Sequence, residues 1–181
     1  MRRRKKMMFV SVAAFVILLA LCLAPAISSY SDYRTTRIAN SQAAAFEKSL
    51  SIAIQETSTF SMTNVAAFDW DRMYMFPAYT PKFMMEETIG TKWHTDSSYI
   101  GYLINQTSLG VGDDPLSDDN LQKLVFVKDD QVVLDVTLYR DEGDFTSSKD
   151  MIERNDDRYV VKKTADPHVA GRQSIVVWNA S

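Results

Sequence analysis

The chain has two histidines, and each stands beside an aspartate: His94-Thr95-Asp96 and Asp166-Pro167-His168, mirrored pairs in two stretches that read as loops. Two imidazoles and two carboxylates brought together would suit zinc or another divalent ion. Nothing in their spacing brings them together, so the expectation is ordinary loop residues and no metal centre. Asp69 and Asp71 flank Trp70. A carboxylate beside an aromatic ring can have its pKa raised into the range of acid–base work. In an extended segment the two aspartates share one face and Trp70 takes the other. The competing reading is structural: turn or strand-edge hydrogen bonds, or pairing with Arg72 or Lys82.

The run holding Asp113, Asp114, Asp118 and Asp119 offers oxygen ligands of the kind calcium takes. It lacks the central glycine and terminal glutamate of an EF-hand loop and reads as a solvated loop. Ser147-Ser148-Lys149 has no spacing that suits Ser-Lys hydrolysis. The sequence contains no Gly-x-Ser-x-Gly elbow, phosphate loop, Gly-x-Gly-x-x-Gly or His-Glu-x-x-His. The single cysteine, Cys22, sits in an apolar run. It excludes an intrachain disulfide, a Cys-x-x-Cys redox site and a soluble thiol nucleophile. Leu21 before it is not the small residue that precedes an acylated lipoprotein cysteine. No catalytic residue, cofactor or metal is expected.

What remains is an aromatic set: Trp70, Tyr74, Phe76, Tyr79 and Trp93. Aromatic side chains bury much area with few rotors and serve binding hot spots and small cores alike. Both uses stay open, the binding use as a groove around Tyr79 and Trp93. The candidate binding residues are Trp70, Asp71, Tyr74, Tyr79 and Trp93.

The elements that must position them follow from patterning. Met7 to Ile27 carries no charge and follows five cations, Arg2 to Lys6. As a helix rising ~1.5 Å per residue it is long enough for a bilayer core of ~30 Å. The cations hold the N-terminus in the cytoplasm, which places the remainder outside. Ala24-Pro25-Ala26 also supplies the small residues of a signal-peptidase site, so cleavage after Ala26 and secretion is the alternative to an uncleaved anchor. The division expected is a basic tail and membrane segment over 1–29, then one extracytoplasmic domain over 30–181. Without the five leading cations, 15 basic residues face 23 acidic ones, a charge of −8. Such a surface repels phosphate backbones, so nucleic-acid binding is not expected.

Tyr30 to Phe60 predicts one helix, with Ala39, Ala43, Phe46, Leu50, Ala53, Thr57 and Phe60 along one face and no Pro or Gly from Ile27 to Phe76. That face either packs on its own domain or pairs with another helix as a stalk. Trp70 to Phe76 predicts a buried strand stopped by Pro77. Thr80 is expected as N-cap, Pro81 as first helical residue, and Gly90 as the C-terminal stop. Tyr99–Ile104 predicts a strand. Leu124–Val127 and Val132–Tyr139 predict a hairpin around Lys128-Asp129-Asp130-Gln131. Val132, Leu134, Val136 and Leu138 point inward, and Val133, Asp135, Thr137 and Tyr139 face a largely wet side. One helical turn is expected near Lys149–Arg154, then a strand pair, Tyr159–Thr164 and Ser174–Trp178. The fold class expected is α+β: an N-terminal transmembrane helix, then a mainly antiparallel sheet of about five or six strands with two main helices.

The pattern Trp70-Asp71-x-x-Tyr74-x-Phe76-x-x-Tyr79-Thr80-Pro81, followed by Ile89-Gly90-x-x-Trp93, resembles one in a family of small, uncharacterised bacterial proteins with an N-terminal signal or anchor. The turn reads Pro77-Ala78-Tyr79-Thr80 here and Gly-Pro-Tyr-Thr in that family. The resemblance covers under a fifth of the chain, implies a bacterial extracytoplasmic domain and transfers no catalytic residue. The functional expectation is a membrane-anchored extracytoplasmic binding or interaction domain without catalysis, attached through residues 7–27 and partnered by another envelope protein. The alternative is a small hydrolase or ligand sensor using Asp69 and Asp71 or a His/Asp metal site.

Overall fold

A computed structural model describes residues 23–107, 116–165 and 173–180. The stretch 7–22 of the expected membrane segment, Asp113 and Asp114, and the Asp166–His168 pair lie outside the described residues. Among the described residues no helix is long and apolar enough to cross a membrane.

The architecture is α+β, with two antiparallel sheets in place of the single sheet expected. Residues 23–36 form α1, which runs through the boundary placed at 29/30. It is followed by α2 (Ala43–Glu56), β1 (Thr59–Ser61), α3 (Met62–Val65), β2 (Arg72–Pro77), α4 (Lys82–Ile89), α5 (Tyr99–Asn105), β3 (Leu121–Lys128), β4 (Gln131–Tyr139), β5 (Met151–Glu153), β6 (Arg158–Ala165) and β7 (Gln173–Asn179). One sheet has the order β4-β3-β2-β5 and the other β1-β6-β7. The final strand pair forms as expected, with Val161 opposite Val177.

The central strands carry the core on both faces, because successive side chains point to opposite sides. Met73, Met75, Leu124 and Phe126 face Phe46, Leu50 and Ile54 of α2. Tyr74, Phe76, Val125 and Val127 face Met85 and Ile89 of α4, together with Trp93 and Leu116. Burial on both faces explains why β2 and β3 read as apolar runs and not as alternating strands.

Several expected elements are corrected. The single helix over 30–60 is two helices separated by residues 37–42, although no Pro or Gly stands there. Asn40 takes a left-handed φ of 49°. Its amide donates to the Asp135 carbonyl at 2.7 Å and accepts from the Asp135 N–H at 3.0 Å. Arg37 forms a parallel bridge with His94. Tertiary hydrogen bonds to the backbone outweigh the local preference here.

Tyr99–Ile104 is helix, not strand, because Ser98 caps it by accepting from the Gly101 N–H at 3.1 Å. Thr80 does not cap α4. Its hydroxyl turns back to the Pro77 carbonyl at 2.8 Å and Pro81 occupies the cap position. The turn expected at Lys149–Arg154 is instead β5 followed by a 3-10 turn, Arg154–Asp156.

The hairpin forms as expected, with left-handed φ values at both Asp129 (48°) and Asp130 (60°), the twist of a primed two-residue turn. A bulge between Phe126 and Val127 breaks the alternation of β4. Val132 consequently joins the α4-side core, while Leu134, Val136 and Leu138 stay on the α2 side.

Gly90 closes α4 at φ 84°, and a Cβ there would meet nothing within 4 Å. The cost of Gly90→Ala is therefore the backbone's alone, about 1 kcal/mol. Urea denaturation of the two chains checks this, and a neutral substitution would contradict the left-handed cap.

The Asp157 carboxylate, just before β6, ties the end of β1 and the start of α3 to that strand. It accepts from the Ser61 hydroxyl at 2.6 Å and the Thr63 N–H at 2.7 Å. Burial pushes its pKa up, but the bonds from Ser61 and Thr63 outweigh burial and hold it below the ordinary carboxylate value. A lowered folded-state pKa contributes stability that is present above the unfolded value and lost as pH falls through the folded one. The chain is expected to lose stability below about pH 4, and Asp157→Asn to flatten that part of the profile. Denaturation midpoints across acid pH measure the difference, and parallel profiles would contradict the assignment.

Candidate functional site

Trp93 and His94 follow α4 and tie three elements together. The Trp93 indole N–H donates to an Asp135 carboxylate oxygen at 2.7 Å. The other oxygen of Asp135 accepts from the Lys123 ammonium, and both side chains of that pair are nearly inaccessible, at 6 % and 7 %. Lys82, on the first turn of α4, sets its ammonium 3.2 Å above the Trp93 ring and 3.9 Å from Asp135. A cation over an indole face is held by the ring quadrupole. Desolvated charges are costly unless paired and hydrogen-bonded, and Asp135 meets both conditions.

His94 is buried between the Tyr33 and Tyr102 rings, at centroid distances of 5.1 and 4.5 Å. Its Nε2 donates to the Tyr33 carbonyl at 3.0 Å, since a carbonyl only accepts, and its Nδ1 faces the Asp96 N–H at 3.2 Å and the Asp96 carboxylate at 3.3 Å. Its backbone exchanges hydrogen bonds with Thr36 and Ile38. The imidazole thus pins α1 to the loop after α4.

Two adjoining hollows share Lys82 and His94, one of about 500 Å³ and one of about 330 Å³. The larger lies between Asp32 and Thr36 of α1, Lys82 and Glu86 of α4, and Asn105 of α5. The smaller is floored by Asn40, Lys123 and Asp135. The lining carries both signs: Lys82 and Lys92 against Asp32, Glu86 and Asp96. Burial, with the Asp32 and Glu86 carboxylates nearby, keeps the Tyr102 phenol above its ordinary pKa and hence protonated. The cleft can present cations, carboxylates, amides and a phenol to one small polar molecule.

The sequence candidates divide. Trp93 and His94 stand at the cleft. Trp70 is fully buried in the α2-side core, with its indole N–H unpartnered among the described residues. Tyr74 is buried on the α4 side and stacked on Phe76. Asp71 steadies the hairpin, accepting from the Lys128 ammonium at 2.8 Å and the Asp129 N–H at 2.9 Å. Those bonds, from Asp129 first and then Lys128, lower its pKa, opposite to the rise that acid–base work would need. Asp69 pairs separately with Arg154 at 3.0 Å. Tyr79 is 60 % exposed and turned outward to Asp119, in a left-handed conformation (φ 62°). Trp93 is turned inward to Asp135, so the two rings do not frame the expected groove.

The residues missed are Lys82, Lys123, Asp135 and Asn40. Asp135 is 7 % exposed, a correction to the wet face assigned to it. The only signal was a lysine in β3 and an aspartate in β4 among apolar neighbours. Among the described residues no cluster of His, Cys, Asp or Glu could hold a metal ion. No family model, curated protein or solved structure matches the chain.

Proposed function

We propose that this chain is a membrane-anchored extracytoplasmic binding domain that seats a small polar ligand in the cleft between α1, α4, α5 and β4. The observation that carries the reading is Lys82, poised between the Trp93 face and the buried Asp135 carboxylate at the junction of the two hollows. The rigid pair beneath it fixes one cation without consuming the open lining. Opposed lysines and carboxylates suit a ligand with both an acidic and a basic group, such as an amino acid or short peptide. Residues 7–27 hold the domain at the membrane with the N-terminus cytoplasmic, and a second envelope protein is the natural partner for a domain so held.

A ligand-sensing role is favoured by one further observation: Asp32 and Thr36 bring α1 itself into the cleft lining. Ligand contact there would bear directly on the helix that leads back to residues 7–22. A shift in thermal midpoint, read on the purified full chain against amino acids and short peptides, tests the reading. A ligand should raise the midpoint, and Lys82→Met should abolish the rise. A panel without effect, or an undiminished rise in the variant, would remove the cleft from the account.

A further inference from the structure

α1 and α5 carry apolar side chains with nothing among the described residues covering them. On α1, Leu23, Ile27 and Tyr30 are 49 %, 68 % and 45 % exposed. On α5, Ile100, Leu103 and Ile104 are 70 %, 37 % and 50 % exposed. With ~3.6 residues per turn, each set forms one stripe, about 100° wide on α5 and narrower on α1. The opposite side of α5 is turned inward, where Tyr102 packs on His94 and Tyr33.

The two stripes flank one seam. The Tyr99 ring meets the Tyr30 ring edge-on at 5.2 Å, and its hydroxyl donates to the Ala26 carbonyl at 3.4 Å. Ala26 lies one residue before the end of the apolar stretch 7–27, so α5 begins level with the outer end of that stretch. Tyr30 stands about 6 Å further along the helix. Tyr30 and Tyr99, which are not buried, therefore meet just beyond the outer end of that stretch, and tyrosine favours the level where bilayer meets water. No charge interrupts the sequence from Met7 to Ser31.

We propose that α5 and the adjoining face of α1 rest in the outer interface of the bilayer, with Ile100, Leu103 and Ile104 at the boundary of headgroups and acyl chains. This inference rests on residues 7–27 being an anchor. The occupant is lipid because the exposed stripe of α1 prolongs that apolar stretch without a break. The docking is mainly apolar: the six residues carry no charge, and exposed Arg34, one turn past Tyr30 on the same side of α1, stands about 10 Å beyond Ile27 in an acidic domain, so neither salt nor anionic lipid should change the docking much. Its consequence is orientation: Asn105, on the inner side of α5, lines the cleft, which is thereby held beside the membrane surface.

The test uses the full chain carrying Cys22→Ser and Ile104→Cys, labelled with an environment-sensitive fluorophore, in phosphatidylcholine vesicles with and without phosphatidylglycerol. A shallow lipid-borne nitroxide should quench this label severalfold more than the same label at Ile52→Cys, an exposed apolar position on α2. Quenching should be equal in both lipid mixtures, and Ile100→Cys should repeat the pattern. An unquenched label on a chain that floats with the vesicles overturns the dock and leaves the anchor standing. Self-quenching between labels would assign the stripe to a second copy, and a blue-shifted but unquenched label to covering by the chain's own residues; either overturns the proposal. A chain that does not float at all removes the anchor and the dock together.

Discussion

Asp135→Ala is expected to cost about 3–5 kcal/mol of folding stability, the range for breaking a buried pair by removing one partner. Two groups are stranded by the change. The Lys123 ammonium, in a side chain only 6 % exposed, loses its counter-charge. The Trp93 indole N–H loses the acceptor it holds at 2.7 Å, and a buried donor without an acceptor costs about 1–3 kcal/mol. Lys82 is not stranded in the same way, because its ammonium keeps the Trp93 face and has more access to water.

The double variant Lys123→Met with Asp135→Leu should recover a large part of the loss, since a buried pair replaced by apolar side chains of similar volume is often neutral. Urea denaturation followed by tryptophan emission gives both values. A loss for Asp135→Ala below about 1 kcal/mol, the ordinary range for an exposed pair, would show that water reaches the network.

Phe126→Ala is the second large effect, again about 3–5 kcal/mol. The ring is fully buried and stands edge-on to three others: Phe46 at 5.0 Å, Phe68 at 5.2 Å and Trp70 at 5.5 Å. It joins α2, the segment before β2, and the central strand of the larger sheet. Truncation removes the transfer energy of the ring and leaves a void that these three rings cannot all close. Phe126→Leu keeps much of the volume and should cost clearly less. Equal losses for the two variants would mean that edge-on ring geometry, not filled volume, carries the contribution.

How much of this was legible depends on the range of the contacts involved. The hairpin at Lys128–Gln131, the stop at Gly90 and the final strand pair were readable because turn chemistry and alternation are local. The break at Asn40 was not: its cause is the Asp135 backbone, 95 positions away. Tyr99–Ile104 reads as a strand by composition and becomes a helix through one Ser98 cap and the packing of Tyr102 on His94. Asp135 looked solvated because alternation identifies two faces of a strand but not whether both are covered. Here α4 and Trp93 cover the second one.

For the same reason the aromatic candidates split. Trp70 and Tyr74 went to the core, Tyr79 turned outward to Asp119, and only Trp93 reached the cleft. The partners that give Trp93 its setting, Lys82, Lys123 and Asp135, come from three different elements and share no motif.

The most direct test of the central claim is native mass spectrometry of the full chain released from membranes, beside Lys82→Met prepared identically. Expected is a small-molecule adduct on the wild-type chain that is lost from the variant, with unfolding free energies from urea denaturation within about 1 kcal/mol of each other. A wild-type chain that emerges bare, or an adduct retained equally by the variant, would contradict a ligand seated at Lys82.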